Sequence, residues 1–245
     1  MSTTPLAGQV VLITGASGGL GGALALACAH AGAQVVASGR NLRRLQALHA
    51  RAQAQGCWIQ LYPLDLEGAG PEELAQMVLA VTGEHGRLDA LVHCAADFPG
   101  LTPLAVADPA AVARALHVNL TARIWLSQAA LPALGASGGR LVLVADGAEC
   151  GQQPYWGGYG LAQAGQHALA AMFQAELAGA GVQVLCWQPP PMPTALRARA
   201  WSHETGHVDR PEVVAQALLA VLAGGGESGA GGLTHASGAA EIVRA

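Results

Sequence analysis

The sequence predicts an α/β fold, a doubly wound parallel sheet of about seven strands with helices on both faces, and three observations predict it. Short Val/Leu/Ile-rich runs alternate with longer Ala/Leu-rich stretches of helical character, the pattern of parallel strands joined by crossover helices. The strand runs are apolar at consecutive positions rather than at every second one, as in strands covered on both faces. The chain has 245 residues, enough for one large core and cramped for two.

In chain order, the first strand is the run VVLIT at Val10–Thr14, and the stretch 20–31 behind it is a helix stopped by Gly32, a residue suited to the left-handed cap that ends many helices. An apolar run at 34–38 and a helical stretch at 41–55 form the next unit, followed by a strand at 58–63 and a helix at 72–82. Ala90–His93 is the fourth strand, and 109–134 is helical, either long or broken. A strand at Arg140–Val144, a helix at 159–177, a strand at 182–188, a helix at Pro211–Leu222 and a short run at 233–236 complete the pattern. Nothing resembles an interdomain linker, so 1–245 is expected as a single domain. The irregular stretch 189–207 follows a strand's carboxyl end, where open α/β sheets bind ligands, and reads as a substrate lid or as an exposed loop.

Composition excludes several classes. Hydrophobic residues make up 52% and charged residues 11%, the reverse of a disordered chain. Twelve basic residues against 16 acidic ones, a net charge of -4, offer no phosphate-backbone surface, so no nucleic-acid partner is expected. The five cysteines are widely spaced without a C-x-x-C pair, which points to neither a disulfide framework nor a metal site and fits a reducing cytoplasm. The first positive side chain is Arg40, and no apolar run approaches the roughly 18 residues of a membrane span, so a soluble cytoplasmic protein is expected. All 12 basic residues are arginine, which excludes any mechanism requiring lysine; codon bias toward Ala, Gly and Arg is an equally good source of that usage.

The first strand is followed by Thr14-Gly15-Ala16-Ser17-Gly18-Gly19-Leu20-Gly21 and at once by a helical stretch. Glycines here let the chain turn tightly and bring backbone N–H groups up to a pyrophosphate at a helix N-terminus. The strand-loop-helix context makes this a dinucleotide-binding loop. In such folds an acid near the end of the second strand takes the adenosine ribose, whereas an arginine there suits a 2′-phosphate. Here that strand ends Ser38-Gly39-Arg40, and the first carboxylate in the chain is Asp65. The cofactor expected is therefore NADP, as NADPH in preference to NADH, with Arg40 as the principal 2′-phosphate contact. Arg43 and Arg44 read as a solvated helix face.

These residues resemble the short-chain dehydrogenase/reductase family over essentially the whole chain, a Rossmann-type fold. The loop from Thr14 to Gly21 is similar to the family's Thr-Gly-x-x-x-Gly-x-Gly signature, and Asp65-Leu66 to the pair that contacts adenine. Asn119 and Tyr159 fall at the active-site asparagine and catalytic tyrosine, while Pro189 and Thr194 fit the stretch that cradles the nicotinamide. The resemblance implies cofactor contacts from Thr14, Gly15, Ser17, Gly19, Leu20, Gly21, Arg40, Asp65, Leu66, Ala95, Gln163, Pro189, Met192 and Thr194. It implies catalytic positions at Asn119, Asp146, Tyr159 and Gln163.

Departures cluster at the chemistry. The family's serine, tyrosine and lysine positions read Asp146, Tyr159 and Gln163; its Asn-Asn-Ala-Gly is His93-Cys94-Ala95-Ala96, and Pro190 replaces a glycine. A tyrosine ordinarily titrates near 10, and a nearby cation is the usual means of making its proton available. Gln163 cannot do that, although it can donate to a ribose hydroxyl. An ionised Asp146 opposes charge growing on a carbonyl oxygen; a protonated one in a dry pocket could instead donate, with Tyr159 as proton donor and Asn119 holding a water. The function implied is an NADP(H)-binding oxidoreductase acting on a carbonyl/alcohol pair with impaired or altered catalysis. The alternative is an inactive NADPH-binding sensor or partner subunit, a pseudoenzyme; a third reading is an interaction protein that binds no nucleotide. The resemblance also implies a homodimer or homotetramer, with a small carbonyl or alcohol as substrate.

Other residues carry less. Tyr159, Gln163 and His167 share one helical face, and His167, about 12 Å along the axis from Tyr159, reads as packing or a subunit contact rather than a base. His93 and Cys94 read as a buried pair and not as a metal site. Tyr155 is expected as a pocket wall, and Trp156, Trp187 and Trp201 as pocket or core.

Overall fold

Successive strand residues point to opposite faces, and in β1 (Val10–Thr14) both directions end in core: Val11 and Ile13 join one apolar cluster, Val10 and Leu12 the other. The same division sets Val35 and Ala37 against Val36 in β2 (Gln34–Gly39), Ala90 and Val92 against Leu91 in β4 (Ala90–His93), and Val142 against Leu141 and Leu143 in β5 (Arg140–Val144). Two buried faces are the reason that the sequence shows unbroken apolar runs. The computed structural model describes residues 4–201, 208–224 and 240–241.

With β3 (Ile59–Pro63), β6 (Gln183–Trp187) and β7 (Ala240–Glu241), the sheet has the order β3-β2-β1-β4-β5-β6-β7. β1 to β6 pair parallel throughout. β7 runs antiparallel to β6, pairing Ala240 with Trp187 and Glu241 with Cys186, so the expected wholly parallel sheet is six parallel strands and one antiparallel edge. An edge strand is held from one side only, and mixed sheets commonly carry such an edge. The expected strand at 233–236 lies outside the described residues.

One face carries α1 (Gly19–His30), α2 (Leu42–Ala54) and α7 (Pro211–Leu222); the other carries α3 (Pro71–His85), α5 (Ala122–Ser137) and α6 (Gly157–Glu176). Beyond α1, Gly32 takes the left-handed conformation with φ +88°, and α2 starts where Asn41 Oδ1 accepts from Arg44 N at 3.0 Å. α3 runs past the expected residue 82 to a left-handed Gly86.

The stretch 109–134 is broken into α4 (Pro109–Leu116), a π turn (His117–Thr121) and α5. Asn119 explains the break. Its Nδ2 donates to the carbonyl of Ala115, one turn back, at 2.7 Å. That carbonyl is the acceptor an α-helix would offer to the backbone N–H of Asn119 itself, so side chain and main chain compete and the ladder slips by one residue.

β1 lies between β2 and β4, so the chain leaves it toward one side and returns on the other. The crevice between the carboxyl ends of β1 and β4 is where open sheets of this kind bind ligands.

Candidate functional site

The glycine loop crosses that crevice. Gly15 has φ +69°, and a Cβ there would fall on the backbone of Ala95 at the end of β4; at Gly21 it would meet the carbonyl oxygen of Gly15 at 2.5 Å. Ala16 N donates to Ser38 O at 2.9 Å, and Thr14 Oγ1 accepts from Ala95 N at 3.4 Å, pinning the loop to β2 and β4. A Cβ on Gly19 would meet Thr194 Cγ2 at 2.9 Å, so the loop after β6 closes against the loop after β1. A backbone packed this closely leaves N–H groups at the start of α1 as the means of holding a phosphate, and the cradle fits a pyrophosphate.

On one side of the crevice, Arg40, Asp65 and Glu67 lie at the carboxyl ends of β2 and β3, and Leu66 is buried. Asp65 Oδ1 accepts from Glu67 N at 3.1 Å. Arg40 Nη1 stands 3.9 Å from Glu67 Oε2, both side chains about half exposed. The turn after β3 carries Glu67 to Arg40, a meeting that no local motif reveals.

On the other side, Asp146 follows β5 and is gripped by three turns of α6. Tyr159 donates its hydroxyl to Asp146 Oδ2 at 2.6 Å, Gln163 Oε1 accepts from Asp146 N at 2.9 Å, and His167 Nε2 bonds Asp146 O at 2.8 Å. The shared face of Tyr159, Gln163 and His167 thus has one object, and His167 is a packing residue turned on main chain. Tyr159 is 3% exposed. Burial first, then the charge and the hydrogen bond of Asp146, hold its hydroxyl well above the ordinary tyrosine value, against a weaker downward pull from Arg123.

Asn119 is fully buried and fully engaged: besides Ala115, its Nδ2 donates to Asp97 O at 2.7 Å and its Oδ1 accepts from Asp97 N at 3.0 Å. These side-chain bonds fix the segment after β4. Asp97 in turn takes Arg114 Nε at 3.1 Å.

Sequence reasoning missed Arg123. It is 1% exposed in the first turn of α5, its guanidinium donating to Val144 O at 2.9 Å, to Ala95 O and to Gln166 Oε1, with Nε left without a partner. Burial pulls its pKa down to about 10. The signal was there: a charge one turn after Asn119 in an otherwise apolar helical stretch.

Around Tyr159 the rings of Phe98, Trp156 and Trp201 form a wall, with Phe98 4.9 Å from Tyr159 and stacked on Trp156 at 5.2 Å, and Trp156 5.3 Å from Trp201. Arg197 lies 4.1 Å over the Trp201 ring, and Arg199 donates to Phe98 O, so the start of the expected lid is docked onto the segment after β4; 202–207 lie outside the described residues. Pro189 and Pro190 are half-buried and Met192 is buried. Trp187 is core, completely buried against the α1 and α7 face, and not part of the pocket mouth. Tyr155 is 54% exposed and makes no ring contact among the described residues. His93 is buried with Nε2 3.0 Å from Ser127 Oγ, its pKa well below the ordinary value, and burial pushes the neighbouring Cys94 thiol up to about 12. Among the described residues no three His, Cys, Asp or Glu side chains gather as metal ligands, and no helix is long and apolar enough to cross a membrane.

Comparison with known proteins places this arrangement. The family model for short chain dehydrogenases matches residues 9–205. YciK of Escherichia coli K12, an uncharacterized oxidoreductase, is 30% identical over 200 residues, 80% of this chain and 78% of its own length. Dehydrogenase/reductase SDR family member 4 of Mus musculus is 26% identical over 82% of this chain and 71% of its own. Among solved structures, YciK superposes with a TM-score of 0.85 at 26% identity, covering 91% of this chain and 92% of that one. A short chain dehydrogenase of E. coli CFT073 in complex with NADPH gives 0.84 at 27%, covering 91% and 93%.

Proposed function

Because the chain belongs to the short chain dehydrogenase family and is an oxidoreductase of that family, we propose that it is an NADPH-dependent carbonyl reductase whose turnover Asp146 holds down. The observation that carries this is the 2.6 Å hydrogen bond in which Tyr159 spends its proton on Asp146. Thr14, Gly15, Ser17, Gly19, Leu20 and Gly21 would hold the pyrophosphate, Asp65 and Leu66 the adenine, and Arg40 the 2′-phosphate. Ala95, Pro189, Met192 and Thr194 would line the nicotinamide. The amide oxygen of Gln163 is taken by Asp146 N and by Gln166 Nε2 at 3.3 Å, which leaves its own nitrogen to donate to a ribose hydroxyl. Bound NADPH would supply the hydride to a carbonyl carbon.

Tyr159 then gives its proton to the carbonyl oxygen. A raised pKa is no obstacle in this direction, because an alkoxide is a far stronger base than a tyrosinate. In the reverse direction Tyr159 would have to be ionised to accept the alcohol proton, and burial beside Asp146 resists that. Reduction is therefore favoured at neutral pH. Asp146 opposes it twice, as a rival acceptor for the Tyr159 proton and as a negative charge beside the oxygen where charge develops. Phe98, Trp156 and Trp201 suit a substrate with an apolar or aromatic body.

The test is NADPH consumption with a panel of small aromatic and aliphatic ketones and aldehydes by the wild type and by Asp146→Ser. The serine variant is expected to be faster by about 10²-fold, the worth of one oxyanion donor. A variant that loses activity would give Asp146 the donor role instead. The same hydrogen bond favours a second reading, an NADPH-loaded sensor or partner subunit, for which binding without turnover in either protein is the signature.

A further inference from the structure

The hydroxyl of Tyr159, a residue 3% exposed, donates to the carboxyl of Asp146, and two acids that share one proton carry one negative charge between them. A charge so placed needs a counter-charge, and position 163, one turn beyond Tyr159 on the same face, is neutral. Arg123 is the reverse case: a cation 1% exposed whose partners are two backbone carbonyls and an amide. Among the described residues the ion pairs within 4.0 Å are Arg40–Glu67, Arg87–Asp89 and Arg114–Asp97, so no carboxylate touches it. Buried charges without a partner are costly and therefore rare. The two halves are joined by side-chain amides: Arg123 donates to Gln166 Oε1, Gln166 Nε2 donates to Gln163 Oε1 at 3.3 Å, and Gln163 Oε1 also accepts from Asp146 N at 2.9 Å. Gln166 turns its amide nitrogen toward Gln163, whose oxygen receives both that nitrogen and the Asp146 backbone N–H, so the line ends on the main chain that carries the carboxylate. Arg123 also binds Ala95 O and Val144 O, the carboxyl ends of β4 and β5 on which the site is built.

We propose that Arg123 is the counter-charge of the Asp146–Tyr159 pair, acting through Gln166 and Gln163, and so a positioning residue that sets how readily Tyr159 ionises. The inference deepens the reductase reading and rests on it for its consequence, but its test needs neither cofactor nor carbonyl, so the two fail separately.

The chain has three tyrosines, and Tyr62→Phe with Tyr155→Phe leaves Tyr159 as the only source of a tyrosinate band. In that background Asp146→Ser removes the acid, leaving burial and the neighbouring Cys150 opposed by Arg123 at Tyr159. Ultraviolet difference titration of this parent is expected to give a midpoint above the ordinary value of 10, burial outweighing Arg123, and this midpoint is the reference for the variants. Arg123→Gln is expected to raise the midpoint by about one pH unit or more, the effect of a lost neighbouring cation. A folded Arg123→Gln protein with an unchanged midpoint overturns the proposal and leaves Arg123 as a clamp. Arg123→Met, similar in volume and without charge, serves if the glutamine variant does not fold. If neither folds, Arg123→His serves, its imidazole being neutral at the pH of the titration, and an unchanged midpoint contradicts the proposal.

Discussion

Arg40 meets two demands at once. In the proposed reading it takes the 2′-phosphate, yet Glu67 sits 3.9 Å away with both side chains about half exposed. So loose and solvated a pair contributes little, and a phosphate with more charge and more acceptors should displace the carboxylate. Arg40→Asp is expected to weaken NADPH binding by about ten- to a hundredfold, the worth of a hydrogen bond to a charged group, with little effect on NADH. Glu67→Gln is expected to sharpen the preference for NADPH by removing the rival. Calorimetric titration of each variant with both cofactors checks this. At Tyr159 the pKa direction has a kinetic consequence. A hydroxyl held above its ordinary value stays protonated through neutral pH, so reduction is expected to stay flat there. Alcohol oxidation should rise only as pH climbs past 10, and a rate that levels off below pH 9 would contradict the assignment.

At the scale of elements, the loop between β1 and α1 is the least tolerant part of the chain. Gly15→Ala would force a Cβ into the backbone of Ala95 and hold an alanine at φ +69°; a loss of about 1–3 kcal/mol is expected, with abolished cofactor binding, read by denaturant melts and by calorimetry. Tyr155, in the segment between β5 and α6, carries the reverse opportunity: it has φ +74°, a conformation that favours glycine. Tyr155→Gly should stabilise by about 1 kcal/mol, or about 2–4 °C in Tm. The sequence reading was sound where one local rule decides. Apolar runs marked β1, β2, β4, β5 and β6 because both faces of the sheet are covered there, and Gly32 marked the end of α1 because its φ is left-handed. It fell short where partners meet from afar: the π turn depends on Asn119 reaching Ala115 and Asp97, Glu67 arrives at Arg40 from a later turn, and the charge of Arg123 acquires meaning only once α5 lies beneath the ends of β4 and β5. Asp146 and Tyr159 were legible as a pair by their spacing, whereas the grip of Gln163 and His167 on the Asp146 main chain was not.

The whole molecule carries these buried groups as a pH signature. His93 is held neutral by burial, its pKa well below the ordinary 6.5. The unfolded chain takes up that proton first, so stability is full above 6.5 and falls as pH drops below it. Burial pushes the Cys28 and Cys94 thiols from 9.0 up to about 12. The unfolded chain releases those protons first, so stability falls as pH rises above 9. Thermal melts should therefore show a plateau between about pH 6.5 and 9, and His93→Leu should flatten the acid limb. The apolar side chains that α6 leaves exposed, Leu161 and Met172, suit association through the long central helices, and a dimer or tetramer is expected in sizing chromatography. The measurement that bears most directly on the central claim is equilibrium binding of NADPH and NADH to cofactor-stripped protein, followed through tryptophan fluorescence and calorimetry. The account predicts NADPH bound at least about ten times more tightly than NADH, with the preference lost in Arg40→Asp. Equal affinities, or no binding of either, would contradict it.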